Sequence, residues 1–94
     1  ASWSIPRRYH WDTLIRARAI ENQCYMAAVN RIGTDPHCEY DGGTVFIDPY
    51  GYPVASCNNN KEEVIICETD LHMLNNYRKK FPALGDRDNF SLLL

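Results

Sequence analysis

No stretch of this chain is apolar for long enough to cross a membrane, and no secretory signal pattern is visible within it, so a membrane is not an expected partner. Charge of one sign is equally missing. Ten Lys and Arg face twelve Asp and Glu for a net charge of −2, and no basic run exceeds Arg78-Lys79-Lys80. That leaves no electrostatic footprint for nucleic acid. The four cysteines make no C-x-x-C and the three histidines (His10, His37, His72) no H-x-x-x-H, so neither a metal nor a cofactor is expected. Gly42 and Gly43 follow no G-x-x-x-x-G-K pattern and open no helix, so no phosphate cradle is marked. Internal repeats are lacking, and the only low-complexity tract is Asn58-Asn59-Asn60.

What is present reads as globular. A hydrophobic fraction of 45% with 12% aromatic residues argues against disorder. Ninety-four residues make one domain at most, or part of one, and a chain of this size buries only about two-thirds of its unfolded surface. The first residue is alanine, from which we expect the start to have been cut, processed or chosen. Four cysteines would suit a secreted disulfide framework. Cys24 and Cys67, however, lie in apolar runs where a thiol acts as a small hydrophobe, and Val, Ile and Leu are plentiful. Reduced thiols in a cytoplasmic protein are therefore expected. Asn89-Phe90-Ser91 fits the glycosylation pattern, which is short enough to arise by chance.

Along the chain, Ala1-Ser2-Trp3 reads as the tail of a strand, and Pro6 suits a first helical turn. The spacing of Trp11, Leu14, Ile15, Ala17 and Ile20 predicts a helix from about Arg8 to Gln23. The apolar run Cys24 to Arg31 predicts a short strand covered on both faces. Gly33 to Gly43 reads as a loop, with Asp35-Pro36 and Asp41-Gly42-Gly43 inside it. Thr44 to Ile47 is a strand, Asp48-Pro49-Tyr50-Gly51-Tyr52-Pro53 a tight turn, and Val54 to Ser56 the returning arm. Glu63 to Thr69 predicts a third strand. Asp70 is placed to cap a helix from Leu71 to Phe81, which Pro82 ends. Residues 86–89 form a polar link to the apolar tail Phe90-Ser91-Leu92-Leu93-Leu94, which is expected to pack on another segment or subunit.

Few of these residues carry chemistry by themselves. Cys24 ends a helix, where the dipole disfavours a thiolate, and Cys67 follows Val64-Ile65-Ile66, where burial does the same. Both read as core filler. Cys38 adjoins His37, but neighbours in an extended chain point apart, and Cys57 has no base within sequence reach. His10 and Trp11 read as an aromatic anchor near a helix start. No catalytic residue is assigned. Arg16, Arg18, Glu21 and Asn22 crowd one helix beside an apolar strand. Taken alone, they read equally as a solvated face with i,i+3 pairs and as groups that need fixed partners at a buried seam.

A longer ordered set surrounds that helix: Ala1-Ser2-Trp3, His10-Trp11, Arg16-Ala17-Arg18-Ala19-Ile20-Glu21-Asn22-Gln23, Tyr25, Asn30-Arg31-Ile32-Gly33, Tyr40-x-Gly42-Gly43, Ile47-Asp48-Pro49-x-Gly51 and Asp70-Leu71. It resembles the carbon–nitrogen hydrolases of the nitrilase superfamily. Tyr77-Arg78-Lys79-Lys80-Phe81-Pro82 narrows the resemblance to the omega-amidase-like branch, which hydrolyses 2-oxoglutaramate or related short dicarboxylate monoamides. The resemblance implies an α+β fold, the C-terminal portion of a four-layer αββα sandwich, with residues 1–94 an incomplete domain. It implies a small-molecule amide substrate attacked by a cysteine, with glutamate and lysine completing a triad that lies before Ala1. By itself the chain would then be inactive. Ala1, Ser2 and Trp3 would line the substrate pocket, with Ser2 where the family usually carries asparagine. Arg16, Arg18, Glu21 and Asn22 would belong to a structural helix that pairs subunits in a homodimer, and the missing N-terminal part would be a second partner. A reading of another class is a free-standing, non-catalytic α+β binding module.

Overall fold

The computed structural model describes residues 1–94. A single 3₁₀ turn, Ile5–Arg7, carries Pro6 at its start and leads directly into helix α1, Arg8–Asn22. Three short strands then form one antiparallel sheet in the order β1 (Met26–Ala28), β4 (Val45–Ile47), β5 (Pro53–Ser56). Between β1 and β4 the chain makes a separate hairpin, β2 (Ile32–Thr34) with β3 (Glu39–Asp41). Helix α2, Leu71–Lys80, and a 3₁₀ turn, Ala83–Asp86, follow. The fold is mixed α+β, as expected.

The core sits where α1 crosses the three-stranded sheet. Trp11, Ile15 and Ala19, spaced by four, lie along one stripe of the helix and pack on Ala28 of β1 and Ile47 of β4. Ala19 is fully buried, and its small side chain lets the helix lie close to the strands. Leu14 and Ile20, expected in that stripe, are instead 42% and 49% exposed. The four-residue drift of the buried stripe leaves them on the outer flank. His10 is also exposed, while Trp11 anchors the core and donates its indole N–H to the Gly43 carbonyl at 2.9 Å.

Gln23 closes α1 with a left-handed backbone, φ 46°, where glycine is usual. Two contacts from the α2 region hold it there. Its Nε2 donates to the Phe81 carbonyl at 2.8 Å, and Arg78 Nε donates to the Gln23 carbonyl at 2.8 Å. Asp70 caps α2 as its sequence position indicated, accepting from the Met73 N–H at 2.9 Å. Arg78, Lys79 and Lys80 stand in the last turn, where the helix dipole favours cations.

Four expectations are corrected. Residues 33–43 are not a loop, since β2 and β3 pair with Gly33 opposite Tyr40. Asp35 makes the turn between them. Its carboxylate accepts the N–H groups of His37 and Cys38, which favours a tight reversal over an open loop. The run after Cys24 is covered on one face only, since Ala28 is buried and Ala27 exposed. Cys24 and Cys67 are half-buried rather than core residues, and all four thiols are free. Residues 63–69 form no strand. Val64 and Ile66 are 89% and 92% exposed while Ile65 and Cys67 are half-buried, so the segment alternates as a strand does. It lacks a ladder: β5 pairs with β4, and nothing in the chain pairs beyond it.

Candidate functional site

Ala1, Ser2 and Trp3 run alongside Val29–Arg31, at the end of β1. The Ala1 nitrogen donates to the Val29 carbonyl at 2.8 Å, and the Arg31 N–H donates to the Ala1 carbonyl at 3.2 Å. That is the slanted pattern of a parallel bridge between Ala1 and Asn30. Trp3 is served differently. Its N–H donates to Asn30 Oδ1 at 2.8 Å, and its carbonyl accepts from Asn30 Nδ2 at 2.9 Å. The second Nδ2 hydrogen goes to the Gly42 carbonyl at 2.6 Å. Asn30 is only 4% exposed; its bond to Gly42 is buried and the two to Trp3 are partly buried. Its backbone is fixed as well, because its N–H donates to Thr44 Oγ1 at 3.0 Å and its carbonyl accepts from that hydroxyl at 3.2 Å.

Beside this clamp lies an open cleft of about 540 Å³, whose walls include Asn30, Gly42, Thr44, Asn58, Lys61 and Glu63. A second, of about 380 Å³, shares Gly43, Thr44 and Cys57 and reaches Arg8 and Asp12 on α1. Ala1, Ser2 and Trp3 line neither cleft. Ala1 and Ser2 are exposed, and the half-buried Trp3 packs on the core with its ring 6.1 Å from that of Trp11.

Arg8, in the wall of the smaller cleft, reaches the end of the β2–β3 hairpin. Its Nη1 meets Asp41 Oδ1 at 2.6 Å, and its Nε meets Asp12 Oδ1 at 3.3 Å. Burial opposes the charged guanidinium, but the hydrogen bond to Asp41 and the charges of both carboxylates outweigh it and raise its pKa. On the hairpin, Tyr40 donates its hydroxyl to Asp35 Oδ2 at 2.6 Å, and the Arg31 guanidinium lies over the Tyr40 ring at 4.3 Å. The hydrogen bond from Tyr40, with those from the His37 and Cys38 N–H groups, lowers the Asp35 pKa. The same hydrogen bond pushes Tyr40 up to about 12.

The four polar residues singled out on α1 do not form one network. Arg18 Nη1 and Glu21 Oε1 pair at 2.5 Å, both about half exposed at 54%. Asn22 Nδ2 donates to the Arg18 carbonyl at 2.9 Å. Arg16 turns elsewhere and donates its Nε to the Gly51 carbonyl at 3.0 Å, tying the helix to the β4–β5 turn. Gly51 has φ +89°, and a Cβ there would stand 2.7 Å from Ile20 Cδ1, so only glycine passes beneath the helix. Among the thiols, Cys57 Sγ approaches the Glu63 carbonyl at 3.9 Å, and no cluster of three or more His, Cys, Asp or Glu gathers anywhere in the chain.

The buried Asn30 clamp and the Arg8–Asp41 pair were missed by sequence reasoning, which quoted Asn30 in a motif and gave it no role. An asparagine ending an apolar run just before Arg31-Ile32-Gly33 was the available signal, since a polar side chain there must find partners.

The sequence profile of the carbon-nitrogen hydrolase family matches residues 3–79. The chain is 43% identical over 93 residues to the omega-amidase YafV of Escherichia coli, covering 98% of this chain and 36% of that protein. It is 40% identical over 86 residues to the 2-oxoglutaramate amidase of Bacillus subtilis, covering 92% and 33%. A crystal structure from Xanthomonas campestris, of a CN-hydrolase superfamily protein with an arsenic adduct in its active site, superimposes with a TM-score of 0.89 at 42% identity. It covers 98% of this chain and 35% of that one. The chain thus spans about a third of the length of the curated relatives it matches.

Proposed function

This chain belongs to the carbon–nitrogen hydrolase family, and from that premise we propose that it is the C-terminal segment of an omega-amidase-type enzyme. The proposed substrate is a short dicarboxylate monoamide such as 2-oxoglutaramate, converted to the acid and ammonia. In this reading a cysteine thiolate adds to the amide carbonyl, ammonia leaves, and water hydrolyses the thioester. A glutamate moves the protons and a lysine holds the oxyanion. Those three groups belong, in the same reading, to the two-thirds of the relatives' length that this chain does not span. One observation carries the proposal: 43% identity to an omega-amidase over 98% of this chain.

The chain's own part in that enzyme would be scaffold and pocket wall, with residues 1–94 an incomplete domain. The clamped Ala1–Trp3 segment would face the substrate, Ser2 presenting its hydroxyl. The unpaired alternation of Val64 and Ile66 supports a further strand partner in the intact protein, since such a segment gains little without one. The outer flank of α1, with Tyr9, Leu14 and Ile20 exposed beside the Arg18–Glu21 pair, supports burial against a second copy in a homodimer. No helix is long and apolar enough to cross a membrane, and a cytoplasmic location is part of the proposal.

Purified intact protein incubated with 2-oxoglutaramate should release ammonia, and alkylation of its nucleophilic cysteine should abolish the release. Intact protein that hydrolyses neither this amide nor its short homologues would instead be the non-catalytic α+β module.

A further inference from the structure

We infer that Asn30 is a positioning residue for the amide-binding pocket, setting the backbone of Ser2–Trp3 and so the place from which Ser2 meets a substrate. This rests on the amidase reading above and adds to it a residue that touches no substrate. The single parallel bridge between the first residues and the chain just after β1 gives Ala1 peptide partners. At Trp3 the Asn30 carboxamide takes over, offering one acceptor to the Trp3 N–H and one donor to the Trp3 carbonyl. A side-chain amide here does the work of a peptide bond.

The choice of residue follows from that geometry. The group at position 30 must accept once and donate twice, because its remaining hydrogen binds the Gly42 carbonyl. A neutral carboxamide supplies this set, whereas ionised aspartate has no donor and serine only one. Glutamine carries the same group one methylene further out, where it cannot meet both Trp3 groups and the Gly42 carbonyl from the same backbone position. With both polar groups of Trp3 fixed and its ring packed against Trp11, the backbone has little freedom to rotate. In an extended segment the residue before an inward Trp3 faces the other way, and Ser2 is exposed. Asn30 therefore sets the position of Ser2 from the far side of the chain, and a shift of even an ångström at a reacting amide is costly.

The test uses the intact protein. Kinetics are measured on two dicarboxylate ω-monoamides that differ by one methylene, and exchange of the Trp3 backbone N–H is followed by mass spectrometry or NMR. Asn30→Ala should accelerate Trp3 exchange, lower kcat/KM about tenfold or more, and move the ratio between the two amides toward unity. Leu74→Ala, which removes the buried side chain of α2 and none of the clamp's hydrogen bonds, serves as the stability control. It should lower Tm while leaving the ratio and the Trp3 exchange as in the parent. Ser2→Ala should change the ratio in the parent and not in the Asn30→Ala background, because the two act through one element. If Asn30→Ala does not fold, Asn30→Asp, which keeps the acceptor and loses both donors, takes its place. A ratio and kcat unmoved in an active, folded Asn30 variant overturn this inference alone. A parent that releases no ammonia overturns the amidase reading, and the catalytic sense of Asn30 with it.

Discussion

The Gln23 side chain donates to the Phe81 carbonyl at 2.8 Å, joining the end of α1 to the end of α2 across fifty-eight residues of sequence. Gln23 is 2% exposed and its backbone is left-handed, a conformation that costs a residue with a Cβ roughly 1–2 kcal/mol. The bond to Phe81 and the one from Arg78 offset that cost. Gln23→Ala keeps the strain and loses the bond to the Phe81 carbonyl, which retains only the Ala83 N–H at 2.8 Å, and should destabilise by about 0.5–1.5 kcal/mol. Gln23→Gly loses the same bond but relaxes the backbone, and should be milder by about 1 kcal/mol. Urea denaturation of both variants decides it. Equal losses would mean that the left-handed turn is not strained.

The hairpin of β2 and β3 should be bounded by pH on both sides. Asp35 has a folded pKa below its ordinary value, so its contribution is complete above the unfolded pKa and fades as pH falls through the folded one. Tyr40 is displaced upward to about 12, so its contribution is complete below the ordinary tyrosine value of 10.0 and is lost as pH rises through about 12. An absorbance titration should show a tyrosine step near 12, and Tyr40→Phe should remove that step. In the same variant the Asp35 pKa, followed by carboxylate NMR, should rise. If it stays where it was, the hydroxyl is not what holds it down.

Gly43 has φ +94°, and a Cβ built on it would stand 2.6 Å from Arg8 Nε. Gly43→Ala should therefore cost about 1–3 kcal/mol through backbone strain and displacement of the guanidinium from Asp41. Combined with Arg8→Ala the two losses should be clearly less than additive, because the second change removes the group that the first collides with. Additive losses in a denaturation cycle would show that the contact carries none of the effect.

Glu21 and Arg18 are both about half exposed and three residues apart, and such a pair contributes only a few tenths of a kcal/mol within one helix. Glu21→Ala should leave the stability of a single subunit nearly unchanged. In the proposed homodimer it should nevertheless weaken self-association, moving the dimer–monomer midpoint in sedimentation to higher concentration. A variant that is as dimeric and as heat-stable as its parent would remove this pair from any subunit contact.

Periodicity and capping made both helices legible, because Trp11 and Ile15 of the predicted spacing fall on the contact stripe of α1 and α2 opens on Asp70, although Ala19 completes that stripe in place of Leu14 and Ile20. The β4–β5 reversal was legible from Asp48-Pro49-Tyr50-Gly51 for the same local reason: Asp48 accepts the N–H groups of Tyr50 and Tyr52. The β2–β3 hairpin was not, because Gly33 and Asp41 dilute the strand pattern while the decisive group, the Asp35 carboxylate, acts through backbone N–H groups that no periodicity reports. The failure at residues 63–69 is of another kind. Val64 to Cys67 carry the β-branched apolar run of a strand, but a strand also needs a neighbour, and sequence composition cannot say whether one is within reach. At the candidate site, Ala1–Trp3 reads as a strand tail in sequence, but only Ala1 makes a bridge, to the chain just after β1, and no strand forms. The residue that grips it lies 27 positions from Trp3, and its role emerges only once the chain is folded.

Residues 63–69 also set how this polypeptide should behave in a tube. With no ladder around them, their amides should trade hydrogen for deuterium within seconds, and proteases should enter there before they touch either helix. The same bare ribbon, with Val64 and Ile66 turned outward, is where two molecules would adhere during storage. A single lysine placed at Ile66 should slow that clumping more than any change made within the folded body.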